Sequence, residues 1–153
     1  MRRRIFVQRG MAAVGGLAAL QAGLLTPRRA LATWSEEVFA HRDFAAALRA
    51  VTDGATVLST RAITIEVPDL IEDGRLVEVT VSSSLEGTEE IIILSEKNPM
   101  PLIARFLMTP RCVPTIKTRI KMGGTGNVVA VVRARGAFFS AEKKATVTAG
   151  GCA

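Results

Sequence analysis

From Gly54 onward the chain is a succession of short apolar segments with a period of two, and this rhythm limits the folds open to it. Ile63, Ile65 and Val67 alternate with Thr64 and Glu66 up to Pro68. Val77, Val79 and Val81 alternate with Glu78, Thr80 and Ser82 after the turn residues Glu72-Asp73-Gly74. Ile116, Thr118, Ile120 and Met122 share one parity, and Lys117, Arg119 and Lys121 the other. Successive side chains of a strand point to opposite faces, so each segment reads as a strand with one buried face. Ile91 to Leu94 is unbroken, as a strand buried on both faces would be. Leu102 to Met108, Val128 to Ala134, Ala137 to Phe139 and Ala145 to Val147 complete the series. Turn signals stand between them at Asp73-Gly74, Asn98-Pro99, Gly123-Gly124 with Gly126-Asn127, and Gly136, and no helix-length segment intervenes. About seven short strands punctuated this way predict an all-β fold, an antiparallel sandwich, and exclude a parallel α/β sheet.

Two other segments precede the strands. Thr33-Trp34-Ser35-Glu36 has the form of a capping box, and Trp34, Val38, Leu48 and Val51 fit one face of a helix that Asp53-Gly54 would stop. Before it stand Arg2-Arg3-Arg4, a weakly apolar run from Met11 to Leu25, and Ala30-Leu31-Ala32. A charged head, an apolar middle and an A-x-A site read as an export signal, too short and too rich in Gly and Ala to span a bilayer. Arg3-Arg4-Ile5-Phe6 further resembles a twin-arginine signal. We therefore expect cleavage after Ala32, leaving a single domain over residues 33–148 and a tail over 149–153.

The leader carries the whole excess of positive charge. Its six charges are all arginines (Arg2, Arg3, Arg4, Arg9, Arg28, Arg29), so of 20 Lys+Arg against 14 Asp+Glu only 14 basic residues remain in the processed chain. A formally neutral domain gives no electrostatic reason to bind nucleic acid or an anionic membrane.

The residue inventory excludes most chemistry. His41 is the sole histidine and there is no Cys-x-x-Cys, so a zinc site of three or four nitrogen or sulfur ligands cannot be assembled easily, and haem attachment through Cys-x-x-Cys-His is missing. No glycine-rich loop joins a strand to a helix as nucleotide binding requires. Glu72-Asp73 and Glu89-Glu90 read as solvated charge in a turn and at a strand head. We expect no cofactor, no metal and no self-sufficient active site.

What remains is the end of the chain, Ala149-Gly150-Gly151-Cys152-Ala153. Two glycines and small residues carry a thiol on a segment with wide conformational choice. Two readings stay open from the residues alone. Cys152 is a reactive thiol on a thin arm, or it closes a disulfide with Cys112, the only other cysteine, in a plain binding module.

Several stretches, taken in order, resemble the SoxY family of sulfur-oxidation carriers. Pro68-Asp69-Leu70-Ile71-Glu72-Asp73-Gly74 is similar to that family's Pro-x-x-Ala-Glu-Asn-Gly turn. Lys97-Asn98-Pro99-Met100-Pro101 resembles its Lys-Asn-Pro-x-Pro segment, and Thr118-Arg119-Ile120-Lys121 its Thr-Arg-Ile-Arg strand. Val147-Thr148-Ala149-Gly150-Gly151-Cys152 resembles its Gly-Gly-Cys-Gly-Gly tail, with Ala153 where the family has further glycines. The resemblance implies an immunoglobulin-like sandwich in the periplasm, paired with a SoxZ-type subunit. It implies that Cys152 is a covalent attachment point on an arm formed by Ala149, Gly150, Gly151 and Ala153. A haem-containing partner would load thiosulfate there, and a hydrolytic partner would remove sulfate. The alternative is a carrier paralogue of another redox system, or a binding module with a structural Cys112–Cys152 bridge.

Overall fold

The computed structural model describes residues 36–148, so Thr33 and Trp34 of the proposed capping box, the export signal and the tail lie outside the described residues. The helical region is two pieces rather than one: α1 (Glu36–Phe39) and α2 (Phe44–Val51). Asp43 explains the break. Its backbone is extended and its Oδ1 accepts from the Ala46 N–H at 2.8 Å, which satisfies one of the donors a helix start leaves unpaired. Asp53 and Gly54 then end α2 with positive φ, as the stop signal predicts.

Nine strands follow among the described residues: β1 (Val57–Ser59), β2 (Ile63–Glu66), β3 (Leu70–Ile71), β4 (Val77–Ser83), β5 (Thr88–Ser95), β6 (Leu102–Leu107), β7 (Thr115–Ile120), β8 (Gly126–Ala134) and β9 (Ala137–Val147). They form two sheets. The larger runs β1-β9-β8-β5-β6 with β3 also on β9, and the smaller runs β2-β4-β7. The alternating segments deliver their buried parity inward. Val77, Val79 and Val81 of β4, with Ile63 and Ile65 of β2, meet Ile91 and Ile93 of β5 and Val128, Ala130 and Val132 of β8. The opposite face of the larger sheet is covered as well. Ile92, Leu94, Val129, Val131 and Phe138 pack under Ala47 and Val51 of α2. Because β5 and β8 are buried on both faces, their sequences read as continuous apolar runs, as expected for Ile91 to Leu94.

The pairing is not wholly antiparallel. β1 and β3 both lie parallel to β9, with Val57 beside Phe138 and Leu70 beside Thr146. The chain leaves β9's edge after Thr60, crosses to the smaller sheet as β2, and returns at Asp69. Both visits run in the same direction, so both pair parallel. The segments 137–139 and 145–147 are also one strand, β9, whose half-exposed centre conceals the continuity.

Glu90 corrects the reading of Glu89-Glu90 as solvated charge. Alternation along β5 puts Glu90 on the face of Ile92, where it is fully buried, and Arg105 Nε donates to its Oε1 at 2.6 Å. Its Oε2 has no hydrogen-bond partner among the described residues. Glu89, one residue earlier at an irregularity in the ladder, is exposed and lies 3.0 Å from Arg133. Glu72 and Asp73 behave as read: both are exposed, and the Arg75 guanidinium hydrogen-bonded to Asp73 holds that carboxyl below its ordinary range.

Candidate functional site at the root of the C-terminal segment

Thr148 is the last described residue, and the three internal segments that carry the family resemblance all meet beside it. β9 outruns β8: the last paired residues are Gly126 and Ala145. On β9's other edge, β3 takes over. Thr146 N donates to Asp69 O and Thr148 N to Ile71 O, each at 2.9 Å, and Thr148 Oγ1 donates to Ile71 O at 3.2 Å. The Pro68–Gly74 stretch is therefore not only a turn. Its two central residues are the strand that holds the last residues of β9.

Lys97-Asn98-Pro99-Met100-Pro101 works from the opposite side. Asn98 Oδ1 accepts from Gly123 N at 2.8 Å, and its Nδ2 donates to Lys121 O at 2.8 Å. One side chain thus ties the loop after β5 to the turn that links β7 to β8. The two loops are pressed together: a Cβ on Gly126 would stand 2.6 Å from Lys97 Cγ, and one on Gly123 would stand 3.0 Å from the Lys97 carbonyl oxygen. Glycine is required here by closeness of approach rather than by unusual dihedrals. Thr118-Arg119-Ile120-Lys121 enters the same turn, and Met122 N donates to Gly74 O at 2.7 Å, which closes the ring back to the Pro68–Gly74 stretch.

The surface beside this root is apolar in part. Leu70 and Leu76 are 61% and 64% exposed, and with Pro68, Ile71 and Val77 they line an open groove of about 400 Å³ edged by Glu72, Asp73 and Glu78. Met100 is exposed on the neighbouring loop.

Cys112 is elsewhere. Ser82 faces Thr115 and Val77 faces Ile120, so the loop before β7 lies at the end of the sandwich opposite Thr148. The Cys112 thiol is free and exposed, and Thr109 Oγ1 stands 3.1 Å from its sulfur. The Thr109 hydroxyl, and next its backbone, stabilise the thiolate and lower the thiol's pKa. His41 is half-buried between α1 and α2, and no group of three or more His, Cys, Asp or Glu side chains gathers among the described residues. Cys152, Ala149, Gly150, Gly151 and Ala153 lie outside the described residues.

Sequence reasoning singled out the thiol-bearing segment and missed what holds its root. Thr125 and Thr148 are unremarkable in composition, and Asn98 reads as a turn residue. The order of the family-like motifs along the chain does not say that the three regions meet.

Fold and site together define a domain of two β-sheets, sandwich-like, whose family-like internal motifs gather at the end of β9. The comparisons carry this to a family. Residues 48–152 match the model of the sulfur oxidation protein SoxY. The structure of the sulfur carrier protein SoxY from Chlorobium limicola f thiosulfatophilum superposes with a TM-score of 0.65 at 33% sequence identity, over 74% of this chain and 99% of that one. No curated protein sequence matches the chain. The chain belongs to the SoxY family of sulfur-oxidation carrier proteins, and it is a carrier rather than an enzyme.

Proposed function

We propose that this protein is the periplasmic sulfur carrier of a thiosulfate-oxidising system, exported by the twin-arginine route and holding its cargo covalently on Cys152. The observation that carries the reading is the anchored root. Thr148 is bonded to Ile71, and the family match runs on past it to residue 152. Loading joins the Cys152 sulfur to the terminal sulfur of thiosulfate. The new S–S bond releases two electrons, which a haem-containing partner takes up, and the thiol proton is lost. A hydrolytic partner then adds water at the sulfonate sulfur, releasing sulfate and leaving a persulfide on Cys152. A cargo that visits several enzymes gains from one thin attachment point on a docked carrier. In this reading Ala149, Gly150, Gly151 and Ala153 form the arm. A Cys112–Cys152 bridge would silence it, and the placement of Cys112 at the far end of the sandwich supports the carrier reading. Intact mass of the native protein is the direct test. We expect processing after Ala32 and sulfur or thiosulfonate adducts that map to the Cys152 peptide and vanish on reduction. An unmodified or internally bridged Cys152 in protein isolated during thiosulfate oxidation refutes the reading.

The two-sheet fold, with a chain that switches sheets between β1 and β3, fits an immunoglobulin-like sandwich, and we assign it a SoxZ-type sandwich as heterodimer partner. The exposed Leu70 and Leu76 beside the root are the apolar surface such a subunit would bury. Sedimentation of the processed chain with that subunit should give a single heterodimer. A well-behaved monomer that ignores the partner at micromolar concentration overturns the assignment.

A further inference from the structure

Val147 is the last residue of β9, and both of its backbone polar groups are held by one side chain. Its N–H donates to Thr125 Oγ1 at 2.9 Å, and the same hydroxyl donates to the Val147 carbonyl at 3.2 Å. A hydroxyl can do both because it carries one proton and two lone pairs. The main-chain ladder between β8 and β9 stops at Gly126 and Ala145. One step beyond it, the Thr125 side chain takes the place a strand would have filled. The neighbouring residues are bonded on the other edge, Thr146 N to Asp69 O and Thr148 N to Ile71 O. The final three described residues are thus held alternately from both sides, as in the middle of a sheet, although no strand runs on one of those sides.

We propose that Thr125 is a positioning residue that fixes the end of β9, from which the C-terminal segment continues, and that Asn98 keeps Thr125 in register. Asn98 bonds Lys121 O and Gly123 N within the turn that presents Thr125. That turn rests closely on the loop after β5, where a Cβ on Gly126 or Gly123 would stand 2.6 or 3.0 Å from Lys97. The functional half of the inference rests on the carrier reading above. An arm that starts from a fixed point searches a smaller volume, and a larger share of its conformations meets a docked enzyme. Releasing the root lowers that competent fraction, which weakens apparent affinity in proportion. The thiol's own reactivity does not change.

The test compares Thr125→Val, which keeps the shape and loses the hydroxyl, with Thr125→Ser, which keeps the hydroxyl. All variants are made in a Cys112→Ser background. Thr125→Val should speed amide exchange at Val147 about tenfold, as expected for losing these bonds, with the centre of β8 unchanged. Thr125→Ser should restore protection. In the reconstituted thiosulfate assay Thr125→Val should raise the KM of the partner enzyme for the carrier with little change in kcat, while iodoacetamide should label Cys152 at the wild-type rate. Asn98→Ala should move the same readouts in the same direction, and the double variant should add little to Thr125→Val. Unchanged exchange at Val147 overturns the clamp. Faster exchange with an unchanged KM, or a lowered labelling rate, overturns its positioning role. Fully additive effects overturn the part given to Asn98. Turnover that survives Cys152→Ser removes the carrier reading but leaves the exchange result standing.

Discussion

Cys152→Ser should abolish thiosulfate-dependent turnover in a reconstituted system, whereas Cys112→Ser should retain most of it. An alcohol neither ionises at neutral pH nor forms the S–S bond on which the carrier reading places the cargo, so no partial activity is expected from the serine. Geometry separates the two cysteines. The six residues of β7 run from the Cys112 end to the Thr148 end, and six strand residues cover roughly 20 Å. From Thr148, four residues lead to Cys152, and four residues extend at most about 14 Å. An enzyme seated beside Thr148 does not meet Cys112. The Cys112 thiol should still react with small reagents, since it is exposed and Thr109 favours its thiolate. Labelling alone therefore does not identify the carrier, and turnover must be measured for each variant. Loss of turnover in Cys112→Ser with a fully active Cys152→Ser reverses the assignment.

The second large effect is on stability, and it is asymmetric. Arg105→Ala removes the ion-pair partner of the fully buried Glu90 carboxylate and leaves its cross-strand neighbour Arg133 paired with Glu89. Breaking a buried pair in this way costs about 3–5 kcal/mol, and the partial exposure of Arg105 places the expectation near the lower figure. For a domain of this size that corresponds to a fall in Tm of roughly 10 °C. Glu90→Leu should cost much less, because Arg105, with a third of its side chain exposed, can turn its guanidinium to water. The double variant Arg105→Met with Glu90→Leu should recover most of the loss, since apolar replacements for buried ion pairs are often neutral or better. Urea unfolding midpoints of the four proteins decide the matter. Equal costs for the two single variants would show that the carboxylate is not the buried liability its environment indicates. Turnover of the folded protein should be unaffected, because Glu90 lies near the end of the sandwich away from Thr148.

Local pattern carried a large part of this protein. The period of two along Ile63–Val67, Val77–Val81 and Ile116–Met122 specifies strands and their buried faces wherever one face is solvated, because alternation is a property of the strand itself. Asp53-Gly54 specifies the end of α2 for an equally local reason. The Gly-Gly-Cys segment and its companion motifs named the family, since short runs in fixed order need no folding to be read.

Local pattern fails where the deciding neighbour is distant. Glu90 looks solvated beside Glu89, but β5 is covered on both faces, and only the folded sheet brings Arg105 beside it. The apolar spacing continues across Asp43 and hides the helix break there, while a single capping hydrogen bond sets the boundary. β3 has two residues, too few for any periodicity, and it becomes a strand only because β9 offers an edge. The root of the C-terminal segment is the extreme case. Thr148 meets Ile71 across 77 residues of chain, and Thr125 meets Val147 across 22. Nothing in the composition of either threonine announces such a partner. These bonds exist because β9 outruns β8, its neighbour in the same sheet, and leaves the end of β9 uncovered, and the nearest hydroxyl and the nearest backbone satisfy it.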